Sequence, residues 1–255
     1  MGPDSLVDRR EQVWDRLRTV TDPELDESVV DLDFITAAEV DAQGCVRVGF
    51  RLPTYWCAAN FSYMMADDMR VAVGGLPWVK SIEVTLGEHM YADRINAGLA
   101  GGLSFLKAFA EEVDGDLTPL RRTFLVKAFQ RRQAALLDYL LAAGHSAAEL
   151  VDLTLDELAG AKLDTEGDRL RARYFDRRDV VGTVNEGARA FVDAEGDRLQ
   201  EETLSIYLRA MRRVAINAEF NGALCRGLLR ERFDLAAAAR CASNKPAEER
   251  IDARA

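Results

Sequence analysis

The stretch from Cys45 to Val73 constrains the possible folds of this chain most. Cys45, Arg47, Gly49 and Arg51 alternate with Val46, Val48, Phe50 and Leu52, the two-residue period of a strand with one buried face. Pro53 ends that strand, because proline has no N–H for a ladder. From Cys57 the period changes: Phe61, Met64, Met65, Met69 and Val73 recur at helical spacing. A strand that gives way to a helix within a few residues requires packed α and β layers. It also puts the Cys57 thiol at a helix start, where the positive end of the helix favours thiolate, the form that binds metal or attacks.

The flanking segments extend this unit. Leu6, Val13, Trp14, Leu17 and Val20 predict a helix over 6–20, stopped at Thr21-Asp22-Pro23 because proline disfavours helix in the residue before it. Residues 29–40 read as a turn and a strand, and Asp41–Gly44 as the turn of a hairpin. Gly74-Gly75-Leu76-Pro77 breaks the Cys57 helix, and Val79–Leu86 reads as a third strand. The expected order is αββαβ, a small two-layer domain over 1–90. The glycine-rich run 91–102 reads as a linker.

Residues 103–245 are expected to be mainly helical, making the whole chain α+β. Thr118 is expected to cap a helix with Pro119 in its first turn, and Gly144 to end it. Ser146 and Thr154-Leu-Asp-Glu open short helices, the second with a capping-box pattern. Leu170–Phe175 alternates like a strand. Glu166-Gly-Asp-Arg-Leu170 recurs as Glu195-Gly-Asp-Arg-Leu199, which fits two matching turns in paired hairpins or a chance recurrence, five residues being too few for a repeat. A long helix over about 200–232 carries a stripe of Leu204, Tyr207, Leu208, Met211, Val214, Ala215, Ala218, Cys225 and Leu228. Residues 246–255 read as a polar tail.

Several function classes are excluded. A net charge of −10 argues against nucleic-acid binding and against attraction to anionic membranes. No run approaches the ~18 apolar residues of a membrane span. The start Met1–Arg10 lacks an apolar signal core, and Cys45, Cys57, Cys225 and Cys241 form no CxxC. These features predict a cytoplasmic protein with free thiols. The chain has no P-loop, no dinucleotide fingerprint, no HExxH and no GxSxG. With only His89 and His145, a di-iron carboxylate site of two ExxH motifs is excluded.

Four motifs remain, in order: Asp22-Pro23-Glu24-Leu25, Val30-Asp-Leu-Asp-Phe-Ile35, Thr54-x-x-Cys57 at the strand–helix junction, and Leu76-Pro77-Trp78-Val79. Together, over about residues 8–90, they resemble the metal-sulfur cluster assembly domain of the SufT and PaaD type. The resemblance implies a factor that assembles or delivers iron-sulfur clusters or iron, with Cys57 as the cluster or metal contact. The sequence departs from that pattern in two places. Asp33 stands where the family commonly has glycine, and Leu-Pro-Thr-Tyr-Trp-Cys-Ala replaces a Thr-Thr-Pro-x-Cys-Pro-like loop.

Around Cys57 the candidate contacts are Thr54, Asp22, Glu24 and His89. Asp22 and Glu24 are equally good turn formers, and Thr54 an ordinary helix cap. His89, in a glycine-rich loop, would complete a mixed Cys/His/carboxylate iron site or be a surface histidine. His145 suits a helix end, Cys45 and Cys225 suit the core, and Cys241 has no evident pairing. Arg121, Arg122, Lys127, Arg131 and Arg132 read as a solvated helix face or a docking surface for an acidic partner.

The leading expectation is a non-enzymatic assembly factor holding iron or a transient cluster. Its partners would be a client apo-metalloprotein and the cluster assembly machinery. One thiolate cannot hold a cluster alone, so a homodimer, the client or a small thiol would supply the rest. The alternatives are a metal-free adaptor for a metalloenzyme such as an oxygenase, and a thiol enzyme with His89 as the base for Cys57.

Overall fold

The computed structural model describes residues 5–110, 115–182, 185 and 187–243, with side chains as far as 234. The chain divides into two compact units. The first comprises residues up to Asp22, Glu27–Gly115 and the chain from Asn221; the second comprises Pro23–Asp26 and Asp116–Phe220.

The first unit has the expected αββαβ order. Helix α1 (Leu6–Arg18) is followed by strands β1 (Ile35–Val40) and β2 (Cys45–Phe50), helix α2 (Ala59–Gly74) and strand β3 (Ser81–Leu86). Among the described residues the sheet has three strands in the order β1-β2-β3. β1 and β2 are antiparallel, with Val46 opposite Val40 and Val48 opposite Ala38. β2 and β3 are parallel, with Val48 opposite Val84. A parallel pair needs a long crossover, and α2 provides it.

Alternation on β2 puts Val46, Val48 and Phe50 in the core. They share it with Val13 and Leu17 of α1, and with Met64, Met65, Met69 and Val73 of α2. Ser5 and Asp8 close a reciprocal capping box at the start of α1. Leu6, expected in the apolar stripe, is half exposed.

Residues 91–102 are not a linker. Helix α3 (Ala92–Ala100) occupies them and buries Ile95 completely against β3. Asn96 holds both the N–H and the C=O of Leu86 at 2.9 and 3.0 Å, fixing α3 to the end of the strand. The short helix α4 (Phe105–Ala108) adds an aromatic cluster: Phe105 stacks on Phe109 at 4.7 Å, and Tyr63 and Tyr91 meet them edge-on. Glycine content suggested a linker here. Apolar side chains between the glycines decided otherwise, and the first unit runs past residue 90.

The second unit is helical: α5 (Thr118–Ala142), α6 (Ala147–Asp152), α7 (Leu155–Gly160), α8 (Thr165–Arg178) and the first half of α9 (Glu201–Ser243). Ser146 and Thr154 each form a capping box. Gly144 leaves α5 with a φ of 103°, the left-handed turn that ends many helices. The cap position of α5 is Leu117, and Thr118 is its first helical residue.

The expected strand at Leu170–Phe175 is part of α8. Asp164 caps that helix through the Gly167 N–H at 2.8 Å, and Gly167, Tyr174 and Arg178 share its buried side. Gly196 instead has a φ of 91° in a turn closed by a Val192–Arg198 bridge. The repeated pentapeptide therefore makes a helix once and a turn once. On α9 the predicted buried stripe holds at Leu204 and Leu208, but Leu228 is 38% exposed and its neighbour Leu229 is buried. Cys241 and the expected tail 246–255 lie outside the described side chains and residues.

Candidate functional site around Cys57

The site is built at the carboxyl ends of β2 and β3. After Phe50 the chain runs through buried Leu52 and Pro53 to Thr54, exposed Tyr55 and Trp56, and half-buried Cys57. Helix α2 starts at Ala59 with Ala58 as its cap, and no side chain bonds the cap position. Cys57 thus sits just outside the first turn rather than within it. Thr54 is not the helix cap either. Its hydroxyl faces the thiol, with Oγ1 and Sγ 3.1 Å apart.

His89 comes from the loop after β3 and is buried, with 4% of its surface exposed. Its Nε2 lies 2.8 Å from the Cys57 carbonyl oxygen, and its Nδ1 accepts the Tyr91 N–H at 3.1 Å. An acceptor at Nδ1 places the proton on Nε2, so the imidazole donates to Cys57 O. Burial holds the His89 pKa below its ordinary value. The carbonyl of Cys57 opposes that shift, and the Arg232 guanidinium reinforces it. A neutral imidazole with both nitrogens engaged braces the loop, and neither nitrogen is left to serve the thiol as a base.

The two loops are tied further. Gly87 N–H donates to Phe50 O at 2.8 Å and Met90 N–H to Tyr55 O at 2.8 Å. Asp33 precedes Phe34, whose carbonyl accepts the Arg51 N–H at 2.8 Å. Asp33 has a φ of 58°, a region that favours glycine and that aspartate tolerates best among larger residues with asparagine. Its carboxylate binds Arg51 at 2.6 Å.

Asp22 and Glu24 lie in the turn after α1. A Thr21–Ser28 bridge and the Asp22 N–H to Glu27 O bond at 2.9 Å pinch its base. Among the described residues, no three or more histidine, cysteine, aspartate or glutamate side chains gather as a metal cage. The expected set of Cys57, Asp22, Glu24 and His89 is therefore not assembled into one. The neighbouring Asp26, which the sequence did not single out, is buried and forms a two-pronged pair with Arg132 at 2.6 and 2.7 Å. That removes Arg132 from the expected solvated face. It sits four residues from both Ala128 and Leu136, in line with the buried stripe of α5. Cys45 and Cys57 are free thiols. No helix among the described residues is long and apolar enough to cross a membrane.

Comparison with known proteins places a family match on this part of the chain. A family described as iron-sulfur cluster assembly protein matches residues 10–86. An uncharacterized protein of Methanocaldococcus jannaschii is 34% identical over 87 residues, spanning 34% of this chain and 90% of the relative. Through its N-terminal third, the chain belongs to the iron-sulfur cluster assembly protein family. A crystal structure of a DUF59 domain of unknown function from Bacillus anthracis is 19% identical with a TM-score of 0.30, covering 37% of this chain and 92% of that domain.

Proposed function

We propose that this protein assembles or delivers iron-sulfur clusters, or iron, to a client apo-metalloprotein, with Cys57 as the contact for the cargo. The observation that carries the reading is the half-buried Cys57, its thiol 3.1 Å from the Thr54 hydroxyl, inside the segment matched by the assembly family. A hydroxyl beside the sulfur can donate to a metal-bound thiolate and tune it. One thiolate, with no cage of three or more ligands among the described residues, binds weakly and releases readily, which suits transfer rather than storage. The remaining ligands then come from the client, from the assembly machinery or from a second copy of the chain. His89 serves as the brace of the loop, and Asp22 and Glu24 serve the turn that carries them.

The test is anaerobic reconstitution of wild type and Cys57→Ser with iron and sulfide, with both elements measured after desalting. Wild type is expected to retain iron and sulfide with a visible absorption band, and Cys57→Ser to lose most of both. Equal retention by the two proteins would sink the assignment. One observation favours a second reading, a metal-free adaptor: Trp56 is 72% exposed and Tyr55 and Met90 are 50% exposed, an apolar rim suited to a protein contact. In that reading Trp56→Ala abolishes client binding and Cys57→Ser leaves it intact.

A further inference from the structure

The second half of α9 belongs to the first unit, far along the chain from the family's matched segment. It reaches the Cys57 site through Arg232. One guanidinium nitrogen donates to Leu52 O at 3.0 Å and another to Glu88 O at 2.6 Å. Leu52 opens the loop that presents Cys57, and Glu88 precedes the histidine that grips the Cys57 carbonyl. The Glu88 carboxylate adds a contact at 3.6 Å. Only 19% of the Arg232 side chain is exposed.

The neighbouring contacts set this arginine in place. Phe233 lies under the Arg51 guanidinium at 4.4 Å, and Arg51 in turn holds Asp33. One turn and a half earlier, Arg226 pairs with Glu27 at 2.5 Å, and Leu229 is buried. We propose that Arg232 is a positioning residue: its fork joins the two loops of the site, so that the C-terminal helix sets how the Cys57 thiol is presented. A planar guanidinium with several fixed donors spans two carbonyls at once, which a single ammonium does less well. The importance of this latch for cargo transfer rests on the proposed role of Cys57; the latch itself does not.

The experiment measures peptide-resolved alkylation rates of Cys57 and Cys45 by iodoacetamide in the full-length, metal-free protein. Cys45, on β2, is the internal control for global unfolding. Loss of charge-assisted hydrogen bonds is expected to open the loop and raise the Cys57 rate roughly tenfold in Arg232→Ala, with Cys45 unchanged. Arg232→Lys, which keeps the charge but not the fork, is expected to fall between. Nitrogen NMR is expected to show the single Nε2–H tautomer of His89 in wild type and a mixture in Arg232→Ala. An unchanged Cys57 rate, an equal rise at Cys45 and Cys57, an Arg232→Lys rate equal to wild type, or an unaltered His89 signal overturns the proposal. Metal-free alkylation separates this outcome from the cluster reading. A positive latch with failed reconstitution would leave Arg232 in place and remove only the cargo.

Discussion

His89 changes meaning once its two nitrogens are accounted for. As a residue type beside a thiol it suggests a ligand or a base. In place it donates from Nε2 to Cys57 O and accepts at Nδ1 from Tyr91, a structural role with a titration consequence. Burial depresses its pKa from the ordinary ~6.5, so on acidification the unfolded chain takes up the proton before the folded one. Its contribution to stability is thus present above about pH 6.5 and is lost as pH falls from there toward the folded value. His89→Gln keeps a donor and removes the titration. The fall in urea midpoint between about pH 7.5 and about pH 5.5 is expected to be smaller in the variant than in wild type. Equal falls would mean that His89 does not titrate differently on folding. Asp33 teaches the same lesson. Its φ of 58° is one that glycine adopts most readily, and the Arg51 pair explains how aspartate fits.

At the scale of elements, the β1–β2 hairpin shows how a turn sets a register. Gly44 has a φ of 87°, and a Cβ there would lie 2.5 Å from the Trp78 carbonyl oxygen. Lys80 N–H donates to Gly44 O at 2.9 Å, tying the turn to the approach of β3. Gly44→Ala therefore meets both a backbone penalty of about 1–2 kcal/mol and a clash with main chain. It is expected to lower the thermal midpoint of the first unit, followed by tryptophan fluorescence. Trp14, Trp56 and Trp78 all lie in that unit. An unchanged midpoint would show that the turn relaxes freely. Elements with a strong period and a clear breaker, such as β2 with Pro53, were legible in advance. Leu170–Phe175 was not, because six residues are too short a window to show the helical spacing of Gly167, Tyr174 and Arg178 that flanks and crosses it, and the Asp164 cap arbitrates.

At the scale of the whole molecule, one buried charge is met by a pair that joins segments distant in sequence. Asp26 binds Arg132, with Arg173 at 3.8 Å and Arg177 at 3.7 Å. Burial and the Arg132 charge hold the Arg177 pKa below its ordinary value. Asp26→Asn keeps the shape and tolerates the φ of 55°, but leaves guanidinium groups facing one another. Breaking such a buried pair costs roughly 3–5 kcal/mol, and the far-UV circular dichroism transition in urea is expected to move down accordingly; no movement would show the pair to be stability-neutral. What the sequence by itself determined is local: the αββαβ order, the caps at Ser146 and Thr154, the inward face of β2, and the thiol at a strand–helix junction. Periodicity and breakers act over a few residues, so they can be read along the chain. Only the tertiary structure decided that 91–102 packs on β3, that Arg132 is buried, that His89 faces a carbonyl and that Arg232 reaches the Cys57 loop. Those outcomes depend on which segments, tens to almost two hundred residues apart, meet in space and satisfy one another's buried polar groups.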